Sequence, residues 1–515
     1  MESIPRITAV PSIRYPLPNL PPGEALTPEQ WTVLLSILDT FIPSITSTDA
    51  DSESQLHVSE SEYDEAIKSI RKILPPSTDP SVVSKYLSES GIDIEGFRST
   101  VECGFAKYVP ADQLKGLRLI LSSLNSTVGS LVMVGSTTPF HLHSPAAREK
   151  ILLSWSKSYI PTLRALFRSF SALAVRTWLC LSPTYRQVIG MPDVPKHVKR
   201  GQDYPYEFLD FSSPDVLSSI ETDIVIVGSG CGAGICAKNL SEAGFSVIVA
   251  EKGRHFTSDH FPMPQRDGLT HLMESGGSLV SDDTSTAFLA GSTFGGGGTV
   301  NWSASLQTQH FVRQEWADQG LPFFTSSEFQ SCLDKVCDNI GASTEGIRHN
   351  FANRVLLEGS RRLGYAVKEV PQNTSGKVHN CGVCTYGCMG TTKNGPAVAL
   401  FPAAAKAGAK FIQGFDVRKV EFEEKNGQKK ASGVIGNWTG KDPEQSREIR
   451  IKTKRVIVCG GTFNSPLILL RSGLKNPHLG KNLHVHPASF CVAKFDEVTN
   501  PWEGKHISPP RPLPP

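Results

Sequence analysis

Closely spaced glycines supply the clearest chemistry in this chain. Gly228-Ser229-Gly230-Cys231-Gly232-Ala233-Gly234 joins a β-branched run, Asp223 to Val227, to a helix-like stretch containing Ala237 and Leu240. Gly228 permits a tight turn, Gly230 lets main chain approach a pyrophosphate, and the small Ala233 allows the helix to lie close to a sheet. Ser229 and Gly232 complete the loop, and the amides at the helix start face the phosphates. A second strand, Ser246 to Ala250, leads to Glu251, where a carboxylate can accept hydrogen bonds from ribose hydroxyls, with Lys252 beside it. Strand, glycines, helix and terminal acid stand in the order a dinucleotide site demands. They do not by themselves separate a flavin from a nicotinamide cofactor.

A second glycine cluster, Gly291-Ser292-Thr293-Phe294-Gly295-Gly296-Gly297-Gly298-Thr299-Val300-Asn301-Trp302, is too rich in other residue types at its end to be a linker. Its run from Gly295 to Gly298 can set main-chain N–H groups against a diphosphate, where any Cβ would intrude. Three cysteines and a histidine form another cluster, His379-Asn380-Cys381-Gly382-Val383-Cys384-Thr385-Tyr386-Gly387-Cys388. These four side chains could supply a tetrahedral zinc shell, but the spacing lacks the second paired knuckle of a strong zinc signature. The expectation is therefore no metal, with the thiols packed as small apolar groups in a glycine-rich loop. His484 and His486, next to Pro487, are read as hydrogen-bonded structural residues rather than catalysts.

The elements that must position these residues imply an α/β protein. Strand-like runs at Phe411 to Gln413, Val417 to Phe422, Val434 to Asn437, Ile449 to Ile451 and Arg455 to Cys459, with a turn at Asn426-Gly427, predict an antiparallel meander that returns to a buried parallel strand. Before them comes a helical region, residues 1–200. Its first helix follows Thr27-Pro28 with apolar positions at Trp31, Leu34, Leu35, Leu38 and Phe41. Residues 201–218 read as a linker, 219–320 and 411–490 as two halves of a nucleotide-binding domain, and 321–410 as a helical, substrate-side insertion carrying the cysteine loop. Residues 491–515 read as the start of a further domain and a proline-rich tail.

Composition narrows the function classes. The chain has 515 residues, 52 basic and 50 acidic, for a net charge of +2, so no strong field favours nucleic acid. Eleven scattered cysteines fit a reducing compartment. Met1 to Pro22 lacks the basic end and apolar core of a secretory leader, and Leu513-Pro514-Pro515 is not a peroxisomal address. The expected location is intracellular, with membrane association and a peroxisomal site left open. The segment from Thr162 to Ser182 is an amphipathic helix, with Arg164, Arg168 and Arg176 near one side and Leu166, Phe167, Phe170 and Leu173 on another. Docking on its own protein is the favoured reading, and peripheral contact with a membrane is the alternative.

Two motifs carry a family resemblance. The segment from Gly291 to Trp302 is similar to the first signature of the glucose-methanol-choline (GMC) oxidoreductases, departing from it at Ser292 and Phe294. Gly461-Thr462-Phe463-Asn464-Ser465-Pro466-Leu467-Ile468-Leu469-Leu470-Arg471-Ser472-Gly473-Leu474 resembles the second, until Lys475 replaces the usual glycine. The N-terminal extension with Asp39-Thr40-Phe41-Ile42-Pro43, the cysteine cluster, and Gly480-Lys481-Asn482-Leu483-His484-Val485-His486-Pro487 resemble the long-chain fatty alcohol oxidase branch.

This resemblance implies an FAD-binding Rossmann-like parallel sheet with an antiparallel meander, and an incomplete substrate domain. It implies FAD held by Gly228, Ser229, Gly230, Gly232, Ala233, Glu251, Lys252, Gly291, Gly295, Gly296, Gly297, Asn301, Trp302, Val417, Gly460 and Gly461. It also implies a long-chain primary alcohol as substrate and O2 as acceptor, with hydride passing to flavin N5. The base of that family lies on a segment after the second signature. None of the proline-rich sequence from Ser508 to Pro515 matches it, so the catalytic base is expected beyond Pro515, in a longer version of the chain. The competing function is a non-catalytic protein that retains FAD or lipid binding. Oligomeric state is not legible.

Overall fold

The computed structural model describes residues 25–499, apart from 48–54, 75–77, 192–197, 214–217, 283–284, 442–444 and scattered positions from 487 onward. The proline-rich stretches from Met1 to Pro22 and from Ser508 to Pro515 lie outside the described residues.

The N-terminal region builds its own helical core. Helix α1 (Pro28–Phe41) begins with a capping box, in which Thr27 Oγ1 accepts from the Gln30 amide and the Gln30 side chain accepts from the Thr27 N–H. Its buried stripe of Trp31, Leu34, Ile37 and Leu38 packs with Phe97, Leu121 and Phe140, with Leu152 and Trp155 of α2 (Pro145–Ser156), and with Phe170 and Ala174 of α3 (Pro161–Leu181). Each such side chain contributes about 1.5–3 kcal/mol of apolar burial. The arginine-bearing helix is thus docked on its own protein. Arg176 also reaches out of the helical core to donate to the Gly276 carbonyl and the Ser278 hydroxyl. Among the described residues no single helix is long and apolar enough to cross a membrane.

A six-stranded sheet forms the second core. Its strands are β1 (Ser219–Val227), β2 (Val247–Ala250), β3 (Lys410–Ile412), β4 (Phe415–Lys425), β5 (Gln428–Thr439) and β6 (Ser446–Val458), in the order β4-β5-β6-β1-β2-β3. The pairs β6-β1, β1-β2 and β2-β3 are parallel, and β4-β5 and β5-β6 are antiparallel. Val225 and Val227 point into one apolar layer and Ile224 and Ile226 into the other, so β1 is covered on both faces as its unbroken apolar sequence requires. Asn426 and Gly427 turn the β4-β5 hairpin with positive φ at both positions.

Two sequence expectations change. The runs from Ile449 to Ile451 and from Arg455 to Cys459 belong to one strand, β6, whose first half pairs with β5 and whose second half pairs with β1. That second half, Val456 to Val458, is half-buried rather than buried. The stretch read as a linker is packed instead. Tyr206, Phe208 and Phe211 are buried, and the Leu209 N–H donates to the Phe411 carbonyl at 2.8 Å along the sheet edge. Aromatic rings close enough to stack on Phe294 and Phe411 explain why this segment does not behave as a spacer.

The crossover helix α4 (Cys231–Glu242) leaves β1, and the short α5 (Gly297–Val300) ends the second glycine cluster. Helix α6 (Phe401–Lys406) backs α4, and α7 (Gly461–Arg471) follows β6. Helices His310–Asp318, Ser327–Ile340 and Phe351–Arg362 occupy the insertion between the two halves of the sheet.

Candidate functional site: a groove at the carboxyl ends of the parallel strands

Strands β6, β1 and β2 end side by side, and the groove beyond their carboxyl ends is where an open α/β sheet binds its ligand. Gly228 makes the first turn with φ 98°. A Cβ there would stand 2.4 Å from the Cys459 carbonyl oxygen, so the close approach of β6 requires glycine. Ser229 is fully buried and joins three pieces of chain. Its N–H and Oγ donate to Glu251 Oε2 at 2.9 and 2.6 Å, and its Oγ accepts the Gly295 N–H at 2.9 Å.

The two glycine clusters therefore meet directly. A Cβ on Gly296 would come within 2.8 Å of Gly230 Cα. Sequence reasoning set both runs of glycines against a diphosphate, and the structure brings them side by side as one wall. That wall carries uncapped amides. Helices α4 and α7 begin at Gly230 and Gly460, neither with a side-chain cap, and Gly296 precedes α5 in the same way. Uncapped amides at helix starts attract anions.

The groove is lined by Gly228, Ser229, Gly230, Glu251, Lys252, Gly291, Gly296, Gly297, Val417, Gly460 and Gly461 from the sequence-based set. The remaining predicted residues stand behind it. Ala233 is buried against β1, where its small size lets α4 lie close to the sheet. Gly232 faces the Cys459 sulfur and Gly295 supports Ser229. Trp302 donates from Nε1 to Thr385 Oγ1 at 2.6 Å. Asn301 closes α5, and its Oδ1 is buried with no hydrogen-bond partner among the described residues. His484 and His486 are exposed, His484 bonding the Asn482 carbonyl, and neither lines the groove.

Sequence reasoning missed several lining residues. Glu274 accepts from Lys252 Nζ and from Asn464 Nδ2, spanning the groove between β2 and α7. Asn464 and Arg471 lay within the second motif and could have been named from α7's helical spacing. Glu274 had no local signal, since only the pairing of Met273 with Gly291 brings it here. Burial of Glu251 pushes its carboxyl above the usual range. The donors Ser229 and Gly253, the latter at 2.6 Å, hold it back toward the ionised form.

Lys393 was also missed. It is 2% exposed and donates to the carbonyls of Thr299 and Asn301 at 2.8 and 2.7 Å, closing the carbonyl end of α5, whose amide end faces the groove. Lys393→Met is expected to cost about 2–3 kcal/mol, because it orphans two buried acceptors, and to loosen ligand binding at the other end of the turn. Thermal melting checks this. An unchanged midpoint would mean that water or a neighbouring donor replaces the ammonium.

The glycines supply a test of fit for a dinucleotide. A Cβ on Gly230, Gly297 or Gly461 would meet no atom within 4 Å, and all three face the same groove. Space is thus kept open next to bare amides, as a diphosphate needs, with the Glu251 carboxylate at the end of β2 for a ribose. Residues 269–488 match the GMC oxidoreductase family. The chain carries a GMC oxidoreductase domain. The cofactor is FAD, and the cradle fits it by the open glycines and uncapped amides described above.

Curated relatives point the same way. The chain is 29% identical to Arabidopsis thaliana long-chain-alcohol oxidase FAO4B over 94% of this chain and 67% of that protein. It is 38% identical to Arabidopsis thaliana long-chain-alcohol oxidase FAO3 over 54% of this chain and 38% of that one. A third, FAO4A of the same plant, is 30% identical over 74% of this chain and 60% of its own length. The chain therefore spans between about a third and two thirds of the length of these relatives.

Proposed function

We propose that this chain binds FAD for the oxidation of long-chain primary alcohols to aldehydes, with O2 as electron acceptor. The observation that carries the FAD half is the single wall formed where Gly295 donates to Ser229, with three open glycines facing one groove. Similarity to long-chain-alcohol oxidases supports the alcohol half. FAD, when bound, supplies the hydride acceptor.

The chain's own residues have separable roles. Amides at the starts of α4 and α7 neutralise the diphosphate, and Glu251 accepts hydroxyl hydrogen bonds while holding Ser229 beneath the loop. Asn301 stands behind the groove wall, where its backbone carbonyl accepts from Lys393 and its buried side-chain oxygen has no donor among the described residues.

Anaerobic mixing of the FAD-loaded protein with hexadecanol tests the activity. Bleaching of the visible flavin absorbance is expected, followed in air by equal amounts of aldehyde and hydrogen peroxide. Stable FAD whose absorbance does not respond to any long-chain primary alcohol would overturn the alcohol reading in favour of a non-catalytic FAD-binding protein.

A further inference from the structure

The fold gathers the cysteine loop more tightly than its spacing, which lacks a second paired knuckle, required. His379, Cys381, Cys384 and Cys388 are 7%, 4%, 4% and 8% exposed, and the ligand atoms of the first three lie within 4.8 Å of one another. His379 Nε2 is 3.0 Å from Cys384 Sγ, and its Nδ1 is 2.6 Å from Thr392 Oγ1. A hydrogen bond at one ring nitrogen that leaves the other aimed at a thiol is how proteins fix a metal-binding imidazole. Cys381 and Cys384 have the two-residue spacing of a zinc knuckle. Cys388 Sγ stands outside that group, 4.0 Å from His379 Nδ1 and 3.9 Å from Thr392 Oγ1, so filling a fourth position requires it to move toward the other three.

We propose that His379, Cys381, Cys384 and Cys388 bind one zinc ion that fixes the loop behind the FAD cradle. Tetrahedral zinc with ligand bonds of about 2.0–2.3 Å places its donor atoms about 3.5–3.8 Å apart, within the span that the three clustered atoms already occupy. Charge agrees as well. Three thiolates against a divalent ion leave one negative charge, and the buried Lys393 ammonium lies beside it, 3.5 Å from the Cys384 carbonyl.

The loop also needs a cross-link. Its own apolar cluster consists of Cys381, Val383 and Cys384 with Met191, Val198 and Tyr386 at the margin, and between Gly376 and Gly395 the only regular element is a single turn, Cys384–Tyr386. Such a small core stabilises a long irregular segment poorly. The ion's effect would reach the cofactor through Lys393, on the carbonyls of Thr299 and Asn301, and through Thr385, on Trp302.

Elemental analysis of the full chain, purified under reducing conditions from zinc-supplemented cells, tests this. About one zinc per chain is expected, falling at least tenfold in Cys384→Ser and unchanged in Cys332→Ser, an exposed thiol elsewhere. Since Cys384→Ser could simply fail to fold, cobalt(II) titration of the zinc-stripped unmutated protein gives a second reading, with an intense thiolate-to-cobalt charge-transfer band expected. Absence of zinc together with absence of that band would overturn the proposal. So would a Cys381–Cys384 disulfide in the freshly reduced protein, or iron with acid-labile sulfide in place of zinc. Neither reading depends on alcohol turnover, so failure here leaves the proposed activity untouched.

Discussion

Gly230→Val is expected to abolish FAD retention while leaving the fold intact. At Gly230 φ is −69°, an ordinary value for any residue, and a Cβ there meets no protein atom within 4 Å. The first side-chain carbon of the valine therefore meets no resistance, and stability should change by no more than about 1 kcal/mol. Its methyl groups would occupy the space in front of the α4 amides, where the diphosphate must lie. Displacing a ligand from bare helix-start amides by even about 3 kcal/mol weakens binding by about 100-fold.

The neighbouring glycine gives the opposite result. Gly228→Val has to adopt φ 98° with its Cβ 2.4 Å from the Cys459 carbonyl oxygen, so folding itself should fail. Calorimetry and retained flavin absorbance on the two variants separate the cases. Gly230→Val that melts normally and keeps a full complement of FAD would place the cofactor somewhere other than this groove.

Glu251→Ala is the second large effect. The carboxylate is 6% exposed and accepts from the Ser229 N–H, the Ser229 hydroxyl and the Gly253 N–H. Alanine leaves the two buried Ser229 donors and the half-buried Gly253 N–H without this acceptor, and Ser229 then loses the anchor that lets it hold Gly295. At about 1–3 kcal/mol for each orphaned buried group, a destabilisation of about 3 kcal/mol or more is expected even before FAD is considered. Glu251→Gln keeps the shape and one acceptor oxygen, so it should lose less stability. A denaturant midpoint for Glu251→Ala equal to that of the unmutated protein would show that the carboxylate does not organise the two loops.

These outcomes follow from what the sequence showed and what it hid. The βαβ unit was legible because an unbroken apolar strand, a glycine turn and a terminal acid are local features with a fixed order. The meander was legible from its short β-branched runs and from Asn426-Gly427. The separate duties of Gly228, a tight turn, and Gly230, an open approach to phosphate, were legible from the order of the motif, whereas the Cys459 carbonyl that crowds Gly228 was not, because it comes from a distant stretch of chain. The same limit hid Glu274 and Lys393. Their roles arise where Met273 pairs with Gly291 and where α5 ends against the cysteine loop, contacts between distant stretches of chain. The aromatic residues at 204–211 misled for a related reason, since prolines and polar neighbours suggested a spacer while Tyr206, Phe208 and Phe211 pack into the core and along the sheet edge.

Titration of the flavin-free protein with FAD and with FMN, followed by flavin fluorescence, bears most directly on the claim that both glycine loops grip one dinucleotide. One FAD per chain should bind, and FMN, which lacks the second phosphate and the adenosine that the groove between Gly230, Glu251 and Gly461 is shaped to take, should bind at least about tenfold more weakly. Equal affinity for the two flavins, or no binding of either, would contradict the account.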